Sequence, residues 1–298
     1  MTRLWEDTVV TALRDAQWLR CARWKSPAAA FPPGFVKLDG NAESAIGDVV
    51  YSSGERYFVF EVKARRLGIR DEWVGSDDKR PKLAYRSLAR YWNRLEELSS
   101  WGEEDDQEED DQKERSALLS FFKLSLAGHH FVYWDEWLDD DRGLVGEIVV
   151  EPYVVACAAL FGAKDENPPW QYLKPWPRSY FGFTWGEGRN RLTSEVVSLD
   201  DALDSEVNTC FSEDGRLRGR KVGLTINELQ FYVNYLIGED EEEEGIFAVV
   251  MSDTGSFYRV VGSTRHLAEV MISSSPRMSP RRKQTVGVSR RGVSVPVP

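Results

Sequence analysis

The residues best suited to chemistry lie in one run, GDVVYSSGERYFVFEVK, from Gly47 to Lys63. RYFVFEVK reads as a β-strand, and successive side chains of a strand point to opposite faces. Phe58, Phe60 and Val62 make one apolar face suited to a core, so Val59, Glu61 and Lys63 share the other. Glu61 and Lys63 thus emerge side by side at the strand's end. Asp48 sits on a preceding strand, and a turn at Ser52-Ser53-Gly54-Glu55 folds the two into a hairpin that brings it to the same place. Two carboxylates and an ammonium meeting there suit hydrolysis of a phosphodiester. Such oxygen donors favour a hard cation, Mg²⁺ (or Mn²⁺), which takes one or two protein carboxylates and keeps several waters. Asp48 and Glu61 are the candidate ligands, with the Val62 backbone carbonyl as a further oxygen. The ion lowers the pKa of a bound water and offsets phosphate charge; Lys63 orients that water or neutralises the charge that develops.

These residues need a scaffold. Residues 3–20 show helical spacing of Trp5, Val9, Ala12, Leu13 and Ala16. A Pro-rich connection follows, then strands over 35–38, 45–51 and 56–63. A second helix is expected over 81–98, with Pro81 in its first turn. An acidic surface loop is expected at 100–115, then a helix over 116–127 and a strand over 130–134. On the second helix Lys82, Arg86, Arg90 and Arg94 recur every four residues, with Arg65, Arg66, Arg70, Lys79 and Arg80 upstream. Such basic clustering is the electrostatic footprint of phosphate binding.

The order of helix, three strands, helix, insertion and strand, with Asp48 on the second strand and Glu61-Val62-Lys63 on the third, resembles the PD-(D/E)XK nuclease superfamily. The likeness covers about residues 1–135. It implies an α/β fold with a restriction-endonuclease-like core (helix, three-stranded meander, helix, strand) and a catalytic set of Asp48, Glu61 and Lys63. Many members carry a metal-binding Glu on the first helix, for which Glu6 is the candidate. Gly47 stands where the family motif has Pro, a replacement the family tolerates. The resemblance further implies action on nucleic acid, DNA above all, in prokaryotic defence, restriction or repair. A nuclease free in a cell endangers its host, so a regulatory protein partner is also expected. A catalytically idle subunit of the same fold, binding a partner or nucleic acid, is the alternative.

Beyond residue 135 a second α+β domain is expected over 136–272, followed by a disordered basic tail at 273–298. Expected there are strands at 145–150, 246–251 and 256–261, and a buried element at 152–162. A helix at 224–237 is opened by a capping box of Thr225 and Glu228. The aromatics of 170–185 suit that domain's core.

The 298 residues carry a net charge of −11, yet eight acids fall within 103–111 and six within 239–244. Runs of like charge are ordinarily solvated, and the remainder of the chain is close to neutral. Cys21, Cys157 and Cys210 form no CxxC pair, which suits reduced structural thiols. His129, His130 and His266 show no zinc spacing, and GEGRN at 186–190 lacks the context of a phosphate loop. Charges in the first twenty residues exclude a signal-peptide core there, and no apolar run is long enough to span a bilayer. A cytoplasmic protein with no membrane partner is expected.

Overall fold

The strand that carries Glu61 and Lys63 is buried along its whole length from Tyr57 onward, because it is paired on both edges and covered on both faces. A computed structural model describes residues 5–23, 35–38, 43, 46–53, 56–72, 82–100, 109–160, 196–204, 208–212, 217–237, 248–251 and 258–261. Helix α1 (Glu6–Arg23) leads into β1 (Phe35–Lys37), β2 (Val49–Ser53) and β3 (Arg56–Lys63). A 3₁₀ helix (Arg66–Glu72), α2 (Leu83–Ser100) and α3 (Glu109–Gly128) then cross to β4 (His129–Asp139). Next come β5 (Gly143–Pro152), α4 (Tyr153–Leu160), β6 (Val197–Ser198) and α5 (Leu199–Asp204). The described chain closes with β7 (Asn208–Ser212), β8 (Leu217–Lys221), α6 (Ile226–Ile237), β9 (Ala248–Met251) and β10 (Tyr258–Val261).

The fold is mixed α/β. Six strands form one sheet in the order β1-β2-β3-β4-β5-β6, antiparallel throughout except for the parallel β3–β4 pair. The pairings Val49↔Phe60 and Tyr51↔Phe58 set the β2–β3 hairpin in the expected register. A slip of one residue would turn Glu61 and Lys63 into the opposite core. On one face Phe58, Phe60 and Val62 pack with Val9 and Leu13 of α1 and Leu199 and Ala202 of α5. On the other, Val59, Phe131 and Tyr133 pack with α2, α3, α4 and α6 around Trp92, Phe121, Phe122, Tyr153 and Tyr232.

Two expectations change. The acidic run does not loop out to residue 115: Glu109, Asp110 and Asp111 form the first turn of α3, where the positive end of the helix dipole favours acids. Trp5 precedes α1 and is 73% exposed, so the buried stripe of that helix rests on Val9, Leu13 and Gln17 instead. The division expected near residue 135 falls inside β4, whose far edge pairs with β5. Helix α6 likewise fills the same core as α2 and α3, and Leu224 bridges to Tyr57 of β3. The capping box holds as read, with Thr225 N–H donating to Glu228 Oε2 at 2.8 Å and Glu228 N–H to Thr225 Oγ1 at 3.4 Å. Tyr153–Leu160 is helical, and β9 pairs with β10 as expected.

The aromatics of 170–185, GEGRN, Lys79, Arg80, Pro81, the acidic run at 239–244, His266 and the basic tail lie outside the described residues. Among the described residues no helix is long and apolar enough to cross a membrane.

Past Tyr133, β4 and β5 continue beyond the end of β3 as a two-stranded ribbon exposing Trp137, Leu138 and Leu144. At the opposite end of β4, α3 passes into the strand at Gly128, pressed against Leu224. A Cβ on Gly128 would lie 2.6 Å from Leu224 Cδ1. Gly128→Ala is therefore expected to destabilise the fold by about 1–3 kcal/mol, read as a lower urea midpoint with an unchanged slope; an unchanged midpoint would show that the contact yields freely.

Candidate active site

Asp48 is placed by backbone on both sides. Its N–H donates to Phe60 O at 2.9 Å, and its carbonyl accepts from Leu38 N–H at 2.8 Å. Gly47 just before it has φ +146°, and a Cβ there would lie 3.0 Å from Val59 Cγ1. Proline, fixed near −65°, does not fit that backbone, which explains why Gly47 stands at that position. Asp48 Oδ2 accepts the Val62 N–H at 2.6 Å, just past the last β2–β3 pair. N–H and C=O of one strand residue face the same edge, so the Val62 carbonyl also turns toward Asp48.

Glu61 and Lys63 point into the helix-covered face, as alternation predicts, and are buried. Lys63 Nζ donates to Glu61 Oε1 at 2.8 Å and lies 2.7 Å from Glu72 Oε1. Lys82, on the residue before α2, also bonds Glu61 Oε1; its Nζ is 3.7 Å from Asp48 Oδ1 and 3.9 Å from Glu72 Oε1. Three carboxylates and two ammoniums thus form one cluster. Lys82 (side chain 23% exposed) and Asp48 (14%) mark its open side. A second buried carboxylate site adjoins it, since Glu61, Phe131 and Glu151 are successive partners across β3, β4 and β5. Arg66 grips Glu151 with two bonds of 2.9 and 2.7 Å, and Tyr133 OH donates to it at 3.0 Å.

Burial raises the pKa of Asp48, with Lys82 and Lys63 opposing it. Burial also raises Glu61, assisted by the Asp48 charge, and Glu72, assisted by the Glu61 charge. Burial works against the Lys63 ammonium, but Glu72 and Glu61 outweigh it and hold its pKa well above the ordinary lysine value. Lys82 is raised in the same way, by Glu72, Glu61 and Asp48 against its burial.

Of the residues expected from sequence, Asp48, Glu61 and Lys63 come together, and Lys82 joins them as a member of the cluster rather than of a basic stripe. Glu6 is exposed on α1, which packs on the opposite face of the sheet; no described hydrogen bond or ion pair joins it to the cluster. Arg94 is engaged by Glu114 of α3 through bonds of 2.9 and 2.7 Å. Arg86 is half-buried, Arg90 is exposed beside the Tyr91 ring at 5.2 Å, and Arg65 is exposed after β3. His129 and His130 are fully buried on opposite faces, as structural residues. Glu72, Glu151 and Tyr153 were not found from sequence. Glu72 lies in a polar stretch without periodicity, and only its 3₁₀ segment folds it back onto Lys63.

Among the described residues no three His, Cys, Asp or Glu side chains are placed to hold a metal ion together. The donors instead are two carboxylates sharing one cation, the Lys82 ammonium, plus a strand carbonyl. That is about the number Mg²⁺ takes from a protein while keeping waters, and the set fits such an ion. Comparison with known protein families, with characterised proteins and with solved structures finds no match for this chain.

Proposed function

We propose that this protein is a metal-dependent nuclease that hydrolyses phosphodiester bonds, with DNA as its substrate class. One observation carries the reading: Asp48 and Glu61 hold a single positive charge between them at the end of β3, with the Lys63 amine beside it. The element order around them, α1, a β1–β2–β3 meander, helices and β4, is the order expected of a PD-(D/E)XK core and supports the same reading.

Asp48, Glu61 and the Val62 carbonyl would hold Mg²⁺ or Mn²⁺, which when bound supplies an acidified water and offsets phosphate charge. Asp48, Glu61 and Glu72 against Lys63 alone leave a charge that one divalent ion would balance, so a bound ion would take the place of the Lys82 ammonium. Lys63, kept protonated by its neighbours, donates to the attacking water or to the phosphate oxygen that gains charge. Its burial keeps that hydrogen bond out of bulk water, where it would be weaker. Arg65, Arg90 and the outer part of Arg66 offer positive charge to a phosphate backbone. The setting this reading implies is prokaryotic defence, restriction or repair, under the control of a protein partner.

The test is incubation of the whole chain with duplex, single-stranded and branched DNA and with RNA, in Mg²⁺, Mn²⁺ or EDTA. Metal-dependent cleavage of DNA is expected. Absence of cleavage on every substrate would leave the fold as a binding subunit and remove the nuclease reading.

A further inference from the structure

We infer that Glu72 is a positioning residue that clamps the Lys63 amine in the site, an inference that rests on the nuclease reading for its catalytic consequence. A lysine side chain has four rotatable bonds and about 2 kcal/mol of rotamer entropy to lose, so a free amine at a strand end does not hold one direction. Here the 3₁₀ segment wraps the whole side chain. Gly68 lies over the stem, where an added Cβ would touch Lys63 Cβ and Cδ at 3.6 Å. Ile69 is sunk in the core, and Glu72 closes on the tip, its Oε1 2.7 Å from Nζ.

Glu72 is itself held from the far side. It is fully buried, and Tyr153 OH donates to its Oε2 at 2.8 Å. The Tyr153 ring is stacked against Phe131 and His129 with centroids at 4.5 and 4.2 Å, so α4 and β4 fix the clamp's anchor. The arrangement divides the ammonium's donors. An NH₃⁺ has three: one goes to Glu61 Oε1 at 2.8 Å, while Glu72 Oε1 holds the charge as an ion pair at 2.7 Å without accepting an aligned hydrogen bond. Glu61, as a metal ligand, cannot also fix the amine's direction alone, since one contact leaves Nζ free to swing about it. Glu72 supplies the second contact from a fully buried position, 2.7 Å from Lys63 Nζ against 3.9 Å from Lys82 Nζ.

Glu72→Gln keeps the shape and an acceptor for Tyr153 but weakens the grip on Lys63; Tyr153→Phe loosens Glu72 while leaving every charge in place. Two readouts separate the clamp from its catalytic use. The first is acylation of lysines in the folded protein by an N-hydroxysuccinimide ester, resolved by mass spectrometry. Lys63 is expected to be protected in the parent chain and to react about tenfold faster in Glu72→Gln, with a smaller rise in Tyr153→Phe. Other lysines serve as the control for global opening. The second is steady-state cleavage of plasmid DNA with Mg²⁺, where kcat should fall about 10²-fold with KM unchanged, and Glu72→Asp should recover part of it. Unchanged Lys63 acylation in folded Glu72→Gln overturns the clamp. A freed Lys63 with full kcat overturns its positioning role. A parent chain that cleaves nothing removes the nuclease reading, and the acylation result still decides the clamp.

Discussion

Asp48→Asn is expected to slow metal-dependent phosphodiester cleavage by about 10³-fold while changing folding stability by less than about 1 kcal/mol. The two consequences separate because Asp48 has two jobs. One oxygen accepts the Val62 N–H at 2.6 Å and seals the point where β2 leaves β3. Asparagine keeps an oxygen there. The other faces the Lys82 ammonium at 3.7 Å and supplies charge to the cation seat, which asparagine removes. Alanine would delete both and confuse lost chemistry with a loosened strand junction. Initial rates at saturating plasmid with Mg²⁺, alongside a thermal melt, check this; a near-parental rate would remove Asp48 from the metal-binding set.

Acidification below about pH 6.5 is expected to draw stability out of the fold through two buried histidines. Two adjacent imidazoles, His129 and His130, are fully buried. Burial pushes the His130 pKa down to about 3, and burial with the neighbouring His130 pushes His129 well below its ordinary value. The unfolded chain takes up a proton on each ring below about pH 6.5 while the folded chain does not, so stability is complete above that pH and drains away below it. Each ring contributes about 1.4 kcal/mol per pH unit. For His130 alone, two units remove about 3 kcal/mol, a large share of a domain's stability, and His129 acts in the same direction. The raised pKa values of Asp48, Glu61 and Glu72 act in the opposite sense, because the folded state binds those protons first. His130→Phe isolates the histidine share. Its ring sits among Phe58 and Phe60, with centroids at 6.1 and 6.4 Å, in surroundings suited to a phenyl group. Urea melts from pH 7.5 to 4.5 should show a slope shallower by about 1.4 kcal/mol per unit in the variant. Equal slopes would mean that His130 is already charged in the folded protein.

What the sequence made legible was what depends on local periodicity. Alternation along RYFVFEVK places Glu61 and Lys63 on one face and Phe58, Phe60 and Val62 on the other, because the pleat leaves no other choice. The Thr225–Glu228 cap is equally local. The members of the cluster that escaped are held by tertiary contact. Glu72 is an acid in a short polar segment, and nothing in its neighbours announces that it is fully buried against Tyr153, eighty-one residues later. Lys82 shares a four-residue spacing with Arg86, Arg90 and Arg94, which suggested a shared face. A drift along the helix, and the position of Lys82 ahead of its first turn, send it to Glu61 while Arg94 goes to Glu114. Residue 135 lies within β4, which belongs to a sheet whose remaining strands come later.

The parallel pairing of β3 with β4 has a consequence for biosynthesis. As the chain leaves the ribosome, β3 can pair with β2 at once, but its other edge waits until His129 to Tyr133 have been made. At ordinary translation speed that interval is on the order of ten seconds. Through it, a strand of Phe, Val and Tyr stands with unsatisfied amides, the condition under which nascent segments associate with one another. Residues 66–72, following directly on β3, are the first in line to shield Lys63 and that edge before the crossover is complete.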